Sequence, residues 1–192
     1  MSTVFLGGSF DPVHIGHLHL AEEVMIQLSY DRVVFVPAAE APHKAPSGAS
    51  TSAQRLDMLQ AAVKDDRRFI VDDCEITRGG LSYTVETVPI LQNRYSPEDR
   101  LGMIIGDDLI EGFVSWKSHE ILAELVDIII AHRQFAHRVE FAFPHRYVDN
   151  LLLPLSSREI RSRVASGKPY RHIVPEPVFR YIERYMLYRQ RD

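Results

Sequence analysis

Two histidines three positions apart follow a glycine pair near the start of the chain. Gly7 and Gly8 come directly after the apolar run Val4-Phe5-Leu6, and His14 and His17 lie where an amphipathic segment begins. A glycine-rich turn between a strand and a helix can bring backbone N–H groups close to a phosphate. The two histidines add side-chain donors at the same place. These residues therefore predict phosphate chemistry on a nucleotide.

The same run differs from two common phosphate-binding motifs. Gly7-Gly8 lacks the G-x-G-x-x-G spacing of a dinucleotide-binding turn, and no Gly-Lys-Ser/Thr follows as it does in a P-loop. A His-x-x-His pair such as His14 and His17 can also supply two metal ligands. We expect the two histidines to contact phosphate, and we expect no dedicated metal site in the protein.

A second candidate anion site lies near the other end of the chain. Ser156-Ser157-Arg158-Glu159 has the spacing of a capping box and opens a helix that should stop near Gly167. Arg161 and Arg163 follow at once. Arginines are disfavoured beside the positive end of a helix dipole unless an anion binds there. A plain capped surface helix is the alternative interpretation.

Two further segments bear on a site. The stretch from Ala38 to Ser50 is rich in Pro, Ala, Gly and Ser, follows a strand candidate and contains the pair His43-Lys44. Long loops at the carboxyl ends of strands often border a ligand site, although this one could also be a simple surface loop. The only cysteine, Cys74, stands among acidic residues that raise the pKa of a thiol, so we expect no nucleophile there.

Short apolar runs alternate with amphipathic stretches along the chain, and several runs are apolar throughout, as in strands buried on both faces. This alternation predicts right-handed βαβ units and a doubly wound α/β fold with a parallel sheet. We expect one domain over 1–192, with a helical segment of about 156–192 packed on it. The strand candidates are Thr3–Leu6, Arg32–Val36, Phe69–Val71, Leu101–Ile105, Asp127–Ala131 and Leu151–Leu153. The helix candidates are His17–Leu28, a capped helix after Thr51, Thr84–Asn93 kinked or shortened by Pro89, the helix after Ser156, and Pro177–Tyr188.

Composition narrows the class of protein. The chain has 192 residues, of which 45% are hydrophobic and 25% charged, which is typical of a globular protein. No apolar run is long enough to span a membrane, and the formal charge of −4 gives no reason to expect nucleic acid as a partner. The single cysteine fits a reducing compartment, so a cytoplasmic location is expected. A homo-oligomer is left open.

The run from Gly7 to His17 resembles the signature of the nucleotidyltransferase superfamily of α/β phosphodiesterases and adenylyltransferases, Gly-Gly-x-Phe-Asp-Pro-x-His-x-Gly-His. The resemblance implies a Rossmann-like fold in which both histidines face the phosphates of ATP. The stretch from Leu155 to Arg161 resembles the superfamily's second phosphate motif, Ile-Ser-Ser-Thr-x-Ile-Arg, with Arg158 in place of the usual threonine. The implied catalytic residues are His14, His17 and Arg161. The implied ATP-binding residues are Gly7, Gly8, Ser9, Phe10, His14, His17, Gly106, Asp107, Ser156, Ser157 and Arg161.

Four middle and C-terminal segments resemble bacterial nicotinate-nucleotide adenylyltransferases: the loop from Pro37 to Lys44, Ser82-Tyr83-Thr84, the Gly106-Asp107 segment with Trp116, and the stretch from Ile173 to Tyr188. Ala41 and Glu40 depart from the family's pattern in the loop. An exposed indole is suited to stacking on a pyridine ring, although a lone tryptophan is often a core residue. The implied substrate-binding residues are His43, Lys44, Ser82, Tyr83, Thr84, Trp116 and Arg133.

The resemblance implies that ATP and nicotinate mononucleotide react to give deamido-NAD and pyrophosphate, with Mg²⁺ bound through the ATP phosphates. The mononucleotide's phosphate attacks the α-phosphorus directly, so no protein nucleophile is needed. Two alternatives stay open. One is another enzyme of the superfamily that acts on nicotinamide mononucleotide, phosphopantetheine or a sugar or alcohol phosphate. The other is a non-catalytic nucleotide-binding regulator.

Overall fold

Six parallel strands form one sheet at the centre of the computed structural model, which describes residues 1–42, 49–95 and 100–189. The strands are β1 (Thr3–Gly8), β2 (Arg32–Pro37), β3 (Phe69–Val71), β4 (Leu101–Gly106), β5 (Val126–Ala131) and β6 (His145–Val148). They lie in the order β3-β2-β1-β4-β5-β6, with β1 paired to both β2 and β4. The chain therefore winds outward from β1 in both directions, as the doubly wound prediction required.

Helices cover both faces of the sheet. They are α1 (Ile15–Leu28), α2 (Ser52–Val63), α3 (Cys74–Arg78), α4 (Thr84–Tyr95), α5 (His119–Leu125), α6 (Ser157–Ala165) and α7 (Glu176–Tyr185). Alternate residues of a strand point to opposite faces. Val4 and Leu6 of β1 accordingly join a core beneath α1, α2, α6 and α7, whereas Phe5 joins a second core beneath α3, α4 and α5. Burial on both faces explains why the inner strands are apolar throughout.

The sixth strand is not where the apolar pattern placed it. The segment Leu151–Leu153 lies outside any strand, and the side chain of Leu151 is exposed. The edge strand is instead His145–Val148, which pairs with β5 on one side and has two exposed residues, His145 and Arg146. An edge strand does not need the continuous apolar run of a buried strand, and the prediction relied on that run.

Helix boundaries also differ from the prediction. α1 begins at Ile15 rather than His17, and α7 runs from Glu176 to Tyr185 rather than from Pro177 to Tyr188. α4 continues through Pro89 to Tyr95, so the proline does not shorten it. Thr87, Val88 and Leu91 are buried on the side of α4 that faces the sheet, and this packing outweighs the hydrogen bond that a proline removes.

Candidate active site

The carboxyl ends of β1 and β4 lie side by side where the strand order reverses, which is where ligands of doubly wound sheets bind. β1 ends in the exposed Gly7 followed by Gly8. β4 ends in Gly106. The predicted ATP-binding residues therefore cluster at the edge of the sheet that the topology marks out.

The turn after β1 is built on the ring of Phe10. Phe10 is buried and has a positive φ of 48°, and its ring lies against Gly8 so closely that a Cβ there would stand 3.1 Å from ring atom Cζ. The same ring packs edge-on against His17, with centroids 5.0 Å apart. A side chain at position 8 would therefore force the Phe10 ring to shift by a few tenths of an ångström, and Phe10 helps to fix the orientation of His17.

His14 is a buried polar side chain without an internal partner. Only 2% of the residue is exposed, and neither ring nitrogen has a hydrogen-bond partner within the described part of the chain. Burial, with a smaller effect of the Arg133 guanidinium, lowers the pKa of His14 from 6.5 to about 3. Buried polar atoms normally have partners. The unpartnered imidazole therefore points to a ligand, and before a ligand binds the ring is neutral at pH 7.

The tautomer of His17 follows from its contact with the backbone. Its Nδ1 accepts a hydrogen bond from the backbone N–H of His14 at 3.2 Å. In the neutral ring the proton therefore resides on Nε2, which can donate to a ligand. The two histidine rings stack with centroids 3.7 Å apart at the start of α1. The pair thus presents two imidazoles at one point.

The start of α6 meets this turn, as the sequence predicted. Ser156 caps the helix by accepting a hydrogen bond from the Glu159 N–H at 3.1 Å. The Ser157 hydroxyl donates to the carbonyl of Pro12 at 2.9 Å, and Arg161 donates to the carbonyl of Asp11 at 2.6 Å. These hydrogen bonds hold the start of α6 against the turn that carries the histidines, although the two segments lie about 145 positions apart in sequence.

The other two arginines of α6 do not join Arg161. Arg163 forms an ion pair with Glu159 at 2.9 Å and also donates to the Pro169 carbonyl. Arg158 is exposed on the surface of the helix. Arg163 therefore fits the alternative interpretation of a capped surface helix, because its charge is already paired within the helix.

Asp107 holds the loop that follows β5. Its buried carboxylate accepts hydrogen bonds from the backbone N–H groups of residues 133–135, at 2.9 to 3.2 Å. The side chain of Arg133 lies directly against Gly106. A Cβ added to Gly106 would stand 2.5 Å from the Cδ of Arg133. Asp107 therefore acts as a positioning residue, and Arg133 is the side chain that its loop brings to the site.

The predicted pyridine-binding segments also approach one another. Ser82 is buried, and its hydroxyl accepts from the Ala39 N–H at 2.9 Å, which ties the start of α4 to the loop after β2. Trp116 is half-buried rather than exposed, with its ring 5.3 Å from that of Phe113. Its neighbour Lys117 reaches the ring of Tyr83, with Nζ 4.4 Å from the centroid. Thr84 is the first residue of α4.

Two residues that organise the site were missed from the sequence, and two predicted ones cannot be placed. Arg55 is buried and donates to the carbonyls of Ser9 and Ala39 at 2.8 and 3.0 Å, so it links the turn after β1 to the loop after β2. Asp11 is buried beside Arg161. The sequence signal for Arg55 is a charged residue at a position where the helical pattern of α2 calls for a buried apolar one. His43 and Lys44 lie outside the described residues.

The described part of the chain has neither a cluster of metal ligands nor a membrane-spanning helix. Across residues 1–42, 49–95 and 100–189, no three His, Cys, Asp or Glu side chains are grouped so that they could hold a metal ion. In the same part of the chain, no helix has the length and apolarity needed to cross a bilayer.

The chain is similar to known proteins over nearly its whole length. A family model described as "Cytidylyltransferase-like" matches residues 5–163. A probable nicotinate-nucleotide adenylyltransferase of Borrelia garinii subsp. bavariensis is 40% identical over 188 residues, which cover 98% of this chain and 95% of the relative. One from Opitutus terrae is 40% identical over 194 residues and covers 98% of both chains. The fold matches the structure of Plasmodium falciparum nicotinic acid mononucleotide adenylyltransferase complexed with NaAD, with a TM-score of 0.78, 18% identity and 98% of both chains covered.

Proposed function

The chain belongs to the cytidylyltransferase-like family and to the nicotinate-nucleotide adenylyltransferases, and from that premise we propose that it transfers the adenylyl group of ATP to nicotinate mononucleotide. The products are deamido-NAD and pyrophosphate, which makes the reaction a step of NAD biosynthesis. The observation that supports this activity most directly is the buried, unpartnered imidazole of His14 beside the start of α6.

The reaction needs no nucleophile from the protein. A phosphate oxygen of the mononucleotide forms a bond to the α-phosphorus of ATP, and the bond from that phosphorus to the bridging oxygen of pyrophosphate breaks. Cys74 is not a competing nucleophile, because burial and the nearby Asp72 carboxylate raise the pKa of its thiol to about 12. The protein's contribution is then to position the phosphates and to stabilise charge in the transition state.

We assign the triphosphate to the turn after β1 and the start of α6. Backbone groups of Gly7, Gly8, Ser9 and Phe10 border the phosphates, and the open space beside Gly7 leaves room for them. His14 and His17 donate hydrogen bonds to phosphate oxygens. Arg161 supplies the positive charge, and Ser156 and Ser157 hold its helix in place. An anion beside His14 would also raise the pKa of its ring.

Arg133 completes the charge distribution from the loop after β5. Its guanidinium is close enough to His14 to lower the pKa of the imidazole. We propose that Arg133 contacts the substrate phosphates, and that Gly106 and Asp107 act through it by fixing the path of its loop.

Ser82, Tyr83, Thr84 and Trp116 form the proposed pyridine site. The indole of Trp116 rests on Phe113, so one face is supported and the ring is held in a fixed orientation for stacking. His43 and Lys44 are assigned to the substrate phosphate on the resemblance alone.

Mg²⁺ fits this site as a companion of ATP. Magnesium prefers water and phosphate oxygens to a cage of protein ligands. The groups assigned to the phosphates are histidine, arginine and backbone N–H groups, and the nearby Asp11 carboxylate already accepts from Ser50 and Tyr188. His14, His17 and Arg161 would hold the phosphates that carry the ion, and the ion would neutralise charge on the phosphate oxygens. A cytoplasmic location remains part of the proposal, supported by the single, unpaired cysteine.

The test is turnover of the purified protein with ATP and nicotinate mononucleotide, followed by the appearance of deamido-NAD and pyrophosphate. Replacing His17 by alanine is expected to lower kcat by about 10²–10³-fold, because one preorganised donor is lost. The matched control is His172→Ala, since His172 is exposed. ATP binding without pyrophosphate release would identify a nucleotide-binding regulator and overturn the proposal.

A further inference from the structure

An ion pair lies between the two segments assigned to the pyridine ring. The ammonium of Lys117, the residue after Trp116, is 2.5 Å from the Glu86 carboxylate. The same ammonium is 4.4 Å from the ring centroid of Tyr83. Lys117 thus bridges the tryptophan segment and the first turn of α4, and the catalytic steps proposed above make no use of this contact.

The charges at this point are well defined. The hydrogen bond from Lys117 lowers the pKa of Glu86, so the carboxylate is ionised at neutral pH. Arg78 is a second cation near Glu86, and its guanidinium also donates to the Thr87 hydroxyl at 3.4 Å. Both members of the Lys117–Glu86 pair are roughly half exposed, at 48% and 39%, so a substrate can approach them.

The acid and amide forms of the mononucleotide differ in charge at a single place. Nicotinate carries a carboxylate where nicotinamide carries a carboxamide, and both groups have an oxygen that accepts from a backbone N–H. A single backbone N–H donor that meets this oxygen therefore discriminates weakly between the two. A second donor, which would face the NH2 group of the carboxamide, favours the acid, and a fixed positive charge favours it further.

Building on the proposed function, we propose that Lys117 strengthens the preference for nicotinate mononucleotide over nicotinamide mononucleotide, and that Glu86 weakens it. A ring stacked on Trp116 places its substituent near Lys117. The ammonium attracts the carboxylate and also compensates Glu86, whose unpaired charge would repel it. The carboxamide is neutral and is affected much less by either charge.

The experiment compares kcat/KM for the two mononucleotides in four proteins: the natural chain, Lys117→Gln, Glu86→Gln and the double variant. Lys117→Gln is expected to lower kcat/KM for nicotinate mononucleotide by about 3- to 5-fold, the upper part of the range of exposed charge pairs, and to leave that for the amide within about 2-fold. Glu86→Gln is expected to shift the ratio toward the acid. The double variant should lie between the two single variants.

Two controls separate a specific charge effect from a general one. Lys117→Arg keeps the charge and should retain the preference for the acid. Lys64→Gln removes one positive charge at the exposed end of α2 and should leave the ratio unchanged. The effect of Lys117→Gln should also shrink as salt is raised, because exposed charges are screened.

The outcomes are distinct. Turnover of nicotinate mononucleotide with an acid-to-amide ratio that Lys117→Gln does not change overturns this inference alone, and so does a Glu86→Gln ratio that moves toward the amide. Absence of turnover with either mononucleotide in the natural chain overturns the proposed function, and this inference with it.

Discussion

Burial decides the charge of His14, and this changes what the residue can contribute to catalysis. A histidine beside a phosphate can act either as a cation or as a neutral hydrogen-bond donor, and the sequence motif alone does not distinguish the two. With the pKa lowered to about 3, the ring of the ligand-free protein is a neutral hydrogen-bond donor. The proposed site then takes its positive charge from Arg161 and Arg133. Sequence spacing identified the residue, but its protonation depends on side chains brought together by the fold.

The lowered pKa predicts a pH dependence of folding stability. Between pH 6.5 and about 3, His14 binds a proton in the unfolded chain but not in the native one. The free energy of unfolding should therefore fall as the pH falls through this window, with a contribution from His14 of up to about 1.4 kcal/mol per pH unit. Urea unfolding of the natural chain and of His14→Gln at several pH values measures the difference in slope.

His14→Gln should weaken the pH dependence in this window, whatever it does to stability at pH 7. His172→Gln serves as the control, because this exposed histidine should leave the slope unchanged. Parallel stability curves for the natural chain and His14→Gln would contradict the lowered pKa.

At the scale of elements, a continuous apolar run was the signal that located strands. Five strands were located to within a residue or two because each carries such a run, including β3 at one edge of the sheet. The sixth, β6 at the other edge, was missed because it lacks one, with His145 and Arg146 exposed.

The two helix caps also differ from each other, although they share a sequence pattern. The box at Thr51 is reciprocal, with Gln54 bonding back to the Thr51 N–H, whereas at Ser156 the Glu159 side chain pairs with Arg163 instead.

The junction of β4 with the loop after β5 gives an element-scale prediction. Gly106→Ala would place a Cβ 2.5 Å from the Cδ of Arg133 and 2.2 Å from the Oδ1 of Asp108. The backbone at Gly106 (φ −75°, ψ 149°) accepts alanine, so the clash alone is tested. Displacement of Arg133 should raise the KM for ATP or lower kcat by about 10-fold or more, since small misplacements at a site are costly. Steady-state kinetics measures both constants.

Gly112→Ala is the matched control for this change. Its nearest neighbour to an added Cβ is 3.9 Å away, and its backbone is helical (φ −82°, ψ −9°). Near-normal kinetics of Gly106→Ala would show that the position of Arg133 does not matter for turnover.

At the scale of the whole molecule, Asp11 connects parts of the chain that are far apart in sequence. Its carboxylate accepts from the hydroxyls of Ser50 and Tyr188, and its carbonyl accepts from Arg161. The loop before α2, the start of α6 and the C-terminal segment therefore meet at one buried group behind the histidine turn. Nothing local in the sequence marks this role, because it exists only through contacts between distant segments.

The contact of Tyr188 with Asp11 predicts that the C-terminal segment supports the ATP site. Tyr188→Phe keeps the ring and removes the O–H that donates to Asp11 at 2.8 Å. Loss of this hydrogen bond to a buried carboxylate should lower the free energy of unfolding by about 1.5–3 kcal/mol. The KM for ATP should also rise, because Asp11 holds Arg161.

Tyr185→Phe is the control, since Tyr185 is an exposed tyrosine at the end of α7. Denaturation and kinetics measured on both variants test the two effects separately, and a destabilised Tyr188→Phe with an unchanged KM for ATP would limit Tyr188 to a structural role.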